Sequence, residues 1–196
     1  MPAGLPPLYI LRHGETEWNR EGRLQGHLDS PLTPQGLRQA EAQGDVLRRI
    51  RPRPARAIVS DSGRAVRTAE IALRGLDLPV TRDARLREVD LGAWQGLTPA
   101  EVAADWPWLV KDRTPEMWKF DAPGGESLDD LAARVRDVLD GLDPSGGPVV
   151  IVTHGVTSRV LRGLATGRPL RDLGALPCGQ GVVHAVEKGA ARLLGT

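Results

Sequence analysis

The sequence predicts an α/β fold of three layers, in which a mainly parallel central sheet carries helices on both faces. Short apolar runs alternate along the chain with segments whose apolar residues recur at helical spacing. Two runs, residues 8–11 and 149–152, stop abruptly at polar residues, as buried strands do at the edge of a sheet. The length of 196 residues suits one domain. We therefore expect a single domain over residues 1–196, with residues 97–122 as a small substrate lid.

The first half of the chain predicts short strands separated by two helices. An irregular loop is expected over residues 14–31, because that stretch is polar and contains two glycines. Thr33 followed by Pro34 is typical of a helix start, with a capping hydroxyl and a proline in the first turn. A second helical pattern begins near Ala65. The predicted strands cover residues 8–11, 57–60 and 78–80, the last as an edge strand.

The second half predicts a loop over residues 86–96 and then the lid. Ser127 begins a strongly amphipathic helix, and Asp130 three residues later resembles a capping box. A β-branched strand over residues 149–152 leads into a helix over residues 156–165. A last strand is expected over residues 181–186.

Composition limits the class of protein. The formal net charge is +1, which argues against a nucleic-acid binder. Lys111, Lys119 and Lys188 are the only lysines, so most basic side chains are arginines, which grip oxyanions with two parallel hydrogen bonds. Cys178 is alone and forms no internal disulfide. No apolar run is long enough for a membrane span, and no signal peptide is recognisable. These features predict a cytoplasmic protein without membrane or nucleic-acid partners.

Two predicted strands end in a histidine followed by glycine. His13 follows the first strand and His154 follows the strand over residues 149–152. Ligands bind outside the carboxyl ends of strands in open α/β sheets, so both histidines are expected at one site. Arg12 and Arg64, the latter just beyond a third strand, are predicted at the same edge. Glu88, in a glycine-containing loop, is a candidate acid.

This combination of side chains favours phosphoryl transfer. Two arginines form an oxyanion site of phosphate size, and a neutral imidazole is a nucleophile near pH 7. A nearby carboxyl group would protonate the leaving oxygen if its surroundings kept it protonated. Two histidines and a carboxylate also suit zinc, but the flanking arginines disfavour a dication. We interpret His27 and His184 as structural hydrogen-bonding residues.

Six sequence blocks in order resemble the histidine phosphatase superfamily, the phosphoglycerate-mutase-like group. R-H-G alone is a weak signal, whereas six blocks between residues 11 and 155 are specific. Two departures from the family pattern are Ser62, where leucine is frequent, and Gln95, where glutamate is frequent. The blocks are L-R-H-G-E-T with Asn19, residues 24–40, residues 60–69, Glu88 with Gly92, Trp94 and Gly96, P-G-G-E-S at 123–127, and T-H-G at 153–155.

The resemblance implies a role for each site residue. His13 would be the phosphorylated nucleophile, and Glu88 would be the proton donor and later the base for water. Asn19 and the backbone N–H of Gly155 would help to bind phosphate. The resemblance implies no metal and no cofactor. Arg12, Arg64 and His154 would hold the phosphoryl group, and Thr16 and Gln25 would lie at the rim of the site.

Within this family the chain is expected to be a phosphatase acting on a small-molecule phosphate ester. Cofactor-dependent phosphoglycerate mutases are usually longer in the region of residues 97–122, which is compact here. The mutase remains the alternative, and a non-catalytic phosphate sensor or interaction module and a metal-dependent hydrolase also stay open. A homodimer is left open as well. Within the lid, Trp106, Trp108 and Trp118 would either form an apolar wall against the substrate or pack the lid onto the domain.

Overall fold

The computed structural model describes residues 4–111 and 117–194, which form an α/β fold. Within those ranges six strands make one mixed sheet in the order β3-β2-β4-β1-β5-β6. Strands β3, β2, β4 and β1 run parallel, and β5 and β6 pair antiparallel at one side, so the predicted mainly parallel sheet is confirmed. The strands are β1 (Leu8–Arg12), β2 (Arg56–Val59), β3 (Val80–Arg82), β4 (Val149–Thr153), β5 (Val183–Glu187) and β6 (Ala190–Leu194).

Helices cover both faces of the sheet, as predicted. Their bounds are α1 (Glu17–Arg20), α2 (Pro34–Arg49), α3 (Gly63–Ala72), α4 (Pro99–Asp105), α5 (Pro107–Val110), α6 (Leu128–Asp140) and α7 (Gly155–Thr166). Short 3₁₀ turns occupy Ala84–Leu86, Gly92–Trp94, Met117–Asp121 and Leu170–Ala175. In the described part of the chain no helix combines the length and apolar character that a bilayer crossing requires.

Alternating side chains of the central strands form two separate cores. Ile10 and Ile151 belong to the core beneath α6 and α7. Leu11 and Val152 point to the other face, where α2 and α3 pack. All four are fully buried, and each such aliphatic side chain stabilises the fold by about 1.5–3 kcal/mol. Burial on both faces explains why these strands appear in the sequence as continuous apolar runs.

The register of the central strands brings distant segments together at one edge. Arg12 lies opposite Thr153 in the parallel pair β1–β4. The N–H of His13 then donates to the carbonyl oxygen of Thr153 over 3.0 Å. On the other side of β4, the N–H of Ser60 donates to the carbonyl oxygen of Val152 over 2.9 Å. The residues that follow β1, β2 and β4 therefore meet at the same place.

The loop after β1 is fixed by a close crossing of two backbones. A Cβ atom on Gly14 would overlap the carbonyl group of Gly36, and a Cβ on Gly36 would overlap that of Glu15. Thr33 caps α2 by accepting from the N–H of Gly36, with Pro34 next in the chain, as predicted. The close approach holds the residue after His13 against the start of α2.

Several predicted boundaries differ from the structure. Residues 14–31 contain the short helix α1, begun by a reciprocal cap between Thr16 and Asn19. The edge strand begins at Val80 rather than at residue 78, because Pro79 has no N–H and only its carbonyl joins the sheet. The strand β6 was not predicted, because its side chains are mostly exposed and form no apolar pattern of burial.

Two further boundaries differ at the ends of predicted elements. The last predicted strand begins at residue 183 rather than 181, since Gly181 adopts a positive φ of 77° in the preceding turn. Ser127 does begin α6 and accepts from the N–H of Asp130. The capping box is incomplete. The Asp130 carboxylate accepts from the hydroxyl of Ser127, whereas a full box would have it accept from the backbone N–H of Ser127. Aspartate is one methylene shorter than the glutamate that a full box uses.

Candidate active site

The edge where β1, β2 and β4 end contains a small, polar pocket. Its volume is about 100 Å³. His13 and Glu88 line it together with both predicted arginines, and the ring of His154 lies beside His13. The structure thus brings together five residues that are up to 142 positions apart, as the strand ends predicted. The lining residues are Arg12, His13, Asn19, Arg23, Leu24, Gln25, Gly26, Arg64, Glu88, Val89, Leu91, Lys119 and Val156.

His13 is held in the form that a nucleophile requires. Its side chain is buried, and Nδ1 lies 2.8 Å from the carbonyl oxygen of Gly14. A carbonyl accepts only, so Nδ1 carries the proton and Nε2 keeps its lone pair. Burial lowers the pKa of His13 well below its ordinary value, and the neighbouring His154, Arg64 and Arg12 add to the shift. The imidazole is therefore neutral at physiological pH.

His154 lies beside His13 with its ring centroid 5.1 Å away. The Nε2 atom of His154 lies 2.8 Å from the hydroxyl oxygen of Ser60, and its buried Nδ1 has no partner among the described residues. Burial lowers the pKa of His154 well below its ordinary value, assisted by the charges of Arg64 and Arg12. If Ser60 donates to Nε2, the neutral ring carries its proton on Nδ1, where it can donate to an oxyanion.

Arg64 is fixed by the loop that follows α1. Its side chain is 1% exposed. The two terminal nitrogens donate to the carbonyl oxygens of Gly26 and Leu28, and one of them also pairs with the carboxylate of Asp29 at 2.9 Å. The Nε atom is buried without a partner in the described ranges. Burial lowers the pKa of Arg64, but an arginine remains charged at physiological pH.

Arg12 reaches the site from the end of β1. One terminal nitrogen donates to the carbonyl oxygen of Cys178 over 2.9 Å, and Nε is buried without a partner among the described residues. Gly155 leaves space beside that guanidinium. A Cβ atom there would lie 3.6 Å from Arg12 Nε and 3.4 Å from Oε2 of Glu88. A Cβ atom would make ordinary van der Waals contact with both groups, so the glycine leaves the space between them free.

Glu88 is seated at the start of helix α7. Its carboxylate accepts from the N–H groups of Val156 and Thr157 at 3.1 and 3.0 Å, and from that of Val89 at 3.1 Å. Burial alone would raise the pKa of Glu88, but these hydrogen bonds and the charge of Lys119 outweigh it and lower the pKa. The sequence left open whether the surroundings keep this carboxyl protonated. In the structure they favour the carboxylate instead.

Asn19 is oriented by a residue that sequence reasoning did not select. Its Oδ1 accepts from the backbone N–H of Thr16 and from Nε2 of Gln180, at 3.2 and 3.0 Å. This leaves the Asn19 amide nitrogen as the group that can donate to a ligand. Gln180 also donates to the carbonyl oxygen of His13 over 3.2 Å. Gln180 thus links His13 to Asn19 across separations of 167 and 161 positions, which no local motif signals.

The two residues assigned to the rim lie deeper than expected. Thr16 is fully buried and is not in the pocket wall, because its hydroxyl caps α1. Gln25 does line the pocket, and its Nε2 donates to the hydroxyl of Thr16 over 2.8 Å. Thr16 therefore does not form the rim, and its hydroxyl instead holds the side chain of Gln25 in place.

Two cations in the pocket wall were not selected from the sequence. Lys119 comes from the lid segment, and its charge lowers the pKa of Glu88. Arg23 follows α1 and donates to the carbonyl oxygen of Gly96 over 2.8 Å. The scarcity of lysine in the sequence does not distinguish Lys119 from the other two lysines.

The lid tryptophans do not form a wall in the pocket. Trp106 and Trp118 pack against the fully buried Trp94, with ring centroids 6.3 and 5.4 Å apart. Trp108 is 68% exposed. None of the three lines the pocket. The apolar core beneath the lid takes up two of the rings, so the packing interpretation of Trp106 and Trp118 is the one the structure favours.

The remaining residues singled out from the sequence have structural contacts. The Nε2 atom of His27 lies 3.0 Å from the carbonyl oxygen of Glu88. Gln95 accepts from the N–H of His27 over 2.6 Å and does not line the pocket. His184 is buried on β5 beside Arg162, and burial lowers its pKa to about 4. The hydroxyl of Ser62 lies 3.3 Å from that of Ser60.

A larger cavity lies away from these groups. It measures about 410 Å³ at the opposite end of the sheet, where Leu5, Pro7, Val186 and Lys188 are among its lining residues. Among the described residues, no histidine or arginine lines it, so the smaller pocket is the better candidate for chemistry. Over residues 4–111 and 117–194, no group of three or more His, Cys, Asp or Glu side chains is arranged to hold a metal ion.

Comparison with known proteins finds one family and several close relatives. The sequence model of the histidine phosphatase superfamily (branch 1) matches residues 8–192. A Salmonella paratyphi C protein named "Probable phosphoglycerate mutase GpmB" is 37% identical over 169 residues, which are 83% of this chain and 75% of that protein. The solved structure of Bacillus stearothermophilus YhfR has a TM-score of 0.82 and 35% identity, covering 95% of this chain and 94% of that one.

A second solved structure is a mycobacterial glucosyl-3-phosphoglycerate phosphatase in complex with VO3. Its TM-score is 0.80 and its identity is 35%, with 96% of each chain covered. The α/β fold and the mixed six-stranded sheet are therefore shared with structures of this kind.

Proposed function

The chain belongs to the histidine phosphatase superfamily, and from this premise we propose that it hydrolyses small-molecule phosphomonoesters through a phosphohistidine on His13. One observation carries the proposal. Nε of Arg12, Nε of Arg64 and Nδ1 of His154 are buried nitrogens without partners in the described part of the chain. They belong to residues grouped around the lone pair of His13. A buried unpaired donor costs about 1–3 kcal/mol, and a bound phosphoryl group would satisfy all three.

The first step transfers the phosphoryl group to the enzyme. The lone pair on Nε2 of His13 forms a bond to phosphorus while the bond from phosphorus to the ester oxygen breaks. The departing electron pair remains on that oxygen, which takes a proton from Glu88. Arg12, Arg64 and His154 donate to the three remaining oxygens and stabilise the charge that develops there. Fixed donors of this kind need no reorganisation during the reaction.

The proton on Glu88 comes from the bound ester in this scheme. The pKa of Glu88 is lowered in the protein without ligand, so its carboxylate is ionised near neutral pH. A phosphomonoester has a second pKa of about 6, so part of it arrives as a protonated monoanion. Glu88 accepts that proton and passes it to the leaving oxygen. The ionised Glu88 then takes a proton from water, whose oxygen attacks phosphorus and releases His13 with phosphate.

The pocket limits how much of a substrate is enclosed. Its volume is about 100 Å³. Small-molecule sites typically measure about 300–1,000 Å³. A phosphoryl group fits inside, and most of the leaving group would lie beneath residues 97–111 and 117–122. Residues 112–116 of the predicted lid lie outside the described residues. We propose that the segment 97–122 acts as the lid, because it contributes Lys119 to the pocket wall. The cytoplasmic location, the single domain and the independence of metal stay predictions, and a homodimer stays open.

A phosphoglycerate mutase is the second candidate, because several relatives that are 37% identical carry the name "Probable phosphoglycerate mutase GpmB". A mutase returns the phosphoryl group from the histidine to another oxygen of the same substrate, so its site must exclude water. A direct test supplies 3-phosphoglycerate with and without 2,3-bisphosphoglycerate. Phosphate release from 3-phosphoglycerate or other esters supports the hydrolase. Formation of 2-phosphoglycerate that depends on bisphosphoglycerate, with little phosphate released, would reject it.

A broader substrate panel addresses the remaining alternatives. It contains p-nitrophenyl phosphate, sugar phosphates and nucleotides, assayed with and without excess chelator. A metal-dependent hydrolase loses activity in chelator, whereas the phosphohistidine mechanism does not. A phosphate sensor binds esters without turning them over. Hydrolysis that disappears in His13→Ala but persists in chelator is the expected result.

A further inference from the structure

We propose that Arg134 and Glu126 form a clamp that positions Glu88 for proton transfer to the leaving group. Neither residue lines the pocket, so both are positioning residues. The inference rests on the proposed function, since it assumes that Glu88 moves protons during phosphoryl transfer. It assigns a reason to the P-G-G-E-S block, whose glutamate does not touch the phosphoryl site.

The clamp begins with a two-pronged ion pair. Nε of Arg134 lies 2.6 Å from Oε1 of Glu126, and a terminal nitrogen lies 2.8 Å from Oε2. Both side chains are mostly buried, with exposures of 18% and 14%. Such a planar pair fixes the orientation of the guanidinium as well as its position.

The same guanidinium then holds the backbone that carries Glu88. Its terminal nitrogens donate to the carbonyl oxygens of Arg85, Arg87 and Glu88 at 2.6, 2.8 and 3.0 Å. The Arg85 carbonyl lies within the short turn Ala84–Leu86, and the other two follow that turn, where no strand or long helix fixes the backbone. Arg134 thus supplies from α6 the constraint that regular structure does not provide there.

Glu126 fixes the other end of the same loop. Its N–H donates to the carbonyl oxygen of Asp90 over 2.9 Å, and its carboxylate accepts from the N–H of Asp90 over 3.3 Å. Glu88 is therefore restrained at its own carbonyl, two residues later at Asp90, and at its carboxylate by α7. A shift of about 1 Å in such a group is enough to reduce a rate by about 100-fold.

The test uses the dependence of kcat/KM on the leaving group, which reports the steps up to phosphorylation of the enzyme. An alkyl phosphate needs a proton on its leaving oxygen, whereas 2,4-dinitrophenyl phosphate leaves as a stabilised anion. Arg134→Lys keeps the charge but loses the planar fork, and Glu126→Gln keeps the shape but loses the charge. Arg136→Gln is the matched control, because Arg136 is exposed on the same helix. Glu88→Gln gives the reference for losing the acid.

The clamp predicts selective losses. Arg134→Lys should lower kcat/KM for the alkyl ester by about 10- to 100-fold and leave the dinitrophenyl ester within about threefold. Glu126→Gln should show the same selectivity. Arg136→Gln should leave kcat/KM for both esters unchanged. In Glu88→Gln, which has no acid left to position, adding Arg134→Lys should change the ratio of the two esters by less than about twofold.

Other outcomes separate the two proposals. Equal losses for both esters in a variant that remains folded by circular dichroism would overturn the clamp and leave the phosphatase intact. If Arg134→Lys does not fold, Glu126→Gln provides the test. An unchanged ratio of kcat/KM for the two esters in folded Glu126→Gln would then overturn the clamp. Failure of the unmodified protein to form phosphohistidine would overturn the proposed function itself.

Discussion

The hydroxyl oxygen of Ser60 lies 2.8 Å from Nε2 of His154, at the junction of β2 and β4. This contact determines which imidazole nitrogen is left for the ligand. A neutral imidazole has one N–H, and Nδ1 is the atom without a protein partner in the described residues. A donating Ser60 therefore places the proton on Nδ1, where a phosphoryl oxygen can accept it.

Ser60→Ala should weaken catalysis by releasing that tautomer. We expect kcat to fall by about 10- to 100-fold, no more than the loss of an oxyanion donor causes. Ser145→Ala is the control, because that exposed hydroxyl donates to Asp143 and contacts neither Ser60 nor His154. Equal activity of Ser60→Ala and the unmodified enzyme would contradict the assigned tautomer.

Both site histidines should remain neutral in mildly acidic solution. Burial lowers the pKa of His13 and of His154 well below 6.5, so protonation occurs only at lower pH. NMR titration of the imidazole nitrogens should show both rings neutral at pH 6.5, where an ordinary histidine is half protonated. Titration of either ring near pH 6.5 would contradict the account.

The same shifts have a consequence for stability. A lowered pKa in the folded state means that the unfolded chain binds protons more readily. Each neutral histidine therefore makes its full contribution to the free energy of unfolding above pH 6.5. That contribution is lost as the pH falls below 6.5. For each ring, the free energy of unfolding falls by at most about 1.4 kcal/mol per pH unit.

Lys119→Met should raise the pKa of Glu88. The lysine charge is one cause of the lowered value, and its removal favours the protonated carboxyl. Hydrolysis of the phosphoenzyme needs ionised Glu88. The acid limb of the pH–rate profile for that step should therefore move to higher pH. Lys188→Met, at the distant turn before β6, should leave the limb in place. An unchanged limb in Lys119→Met would show that the lysine does not influence Glu88.

The lid tryptophans should separate into packing and exposed residues. Trp118→Ala removes a ring packed at a tilt against Trp94 and should lower the free energy of unfolding by about 2–4 kcal/mol. Trp108→Ala should change it by less than about 0.5 kcal/mol, because that ring is 68% exposed. Denaturant unfolding measures both. A raised KM in Trp108→Ala would favour the apolar wall instead.

The strand ends made much of the site predictable from the sequence. Arg12, His13 and His154 directly follow apolar runs, and the parallel register of β1 and β4 brings them together. Arg64 and Glu88 were also predicted, since Arg64 follows a recognisable strand and Glu88 lies in a glycine-containing loop. The protonation of Glu88 was not predictable, because it depends on N–H groups of α7 almost 70 positions away.

The supporting contacts were beyond sequence reasoning for the same reason. Gln180 and Arg134 act through side-chain bonds to backbone carbonyls, which leave no periodic or local pattern. The strand β6 lacks a buried face and so lacks the alternation that identifies strands. Packing of Trp106 on Trp94 depends on the path of the lid, which composition does not specify.

The covalent intermediate tests the central claim most directly. Glu88→Gln enzyme mixed with a nitrophenyl phosphate and quenched in alkali should accumulate one phosphoryl group per chain. Peptide mass spectrometry should place it on His13, and acid should release it, as expected for a phosphoramidate. His13→Ala should neither acquire the group nor hydrolyse the ester. Full hydrolysis by His13→Ala, or turnover with phosphate attached to another residue, would contradict the mechanism.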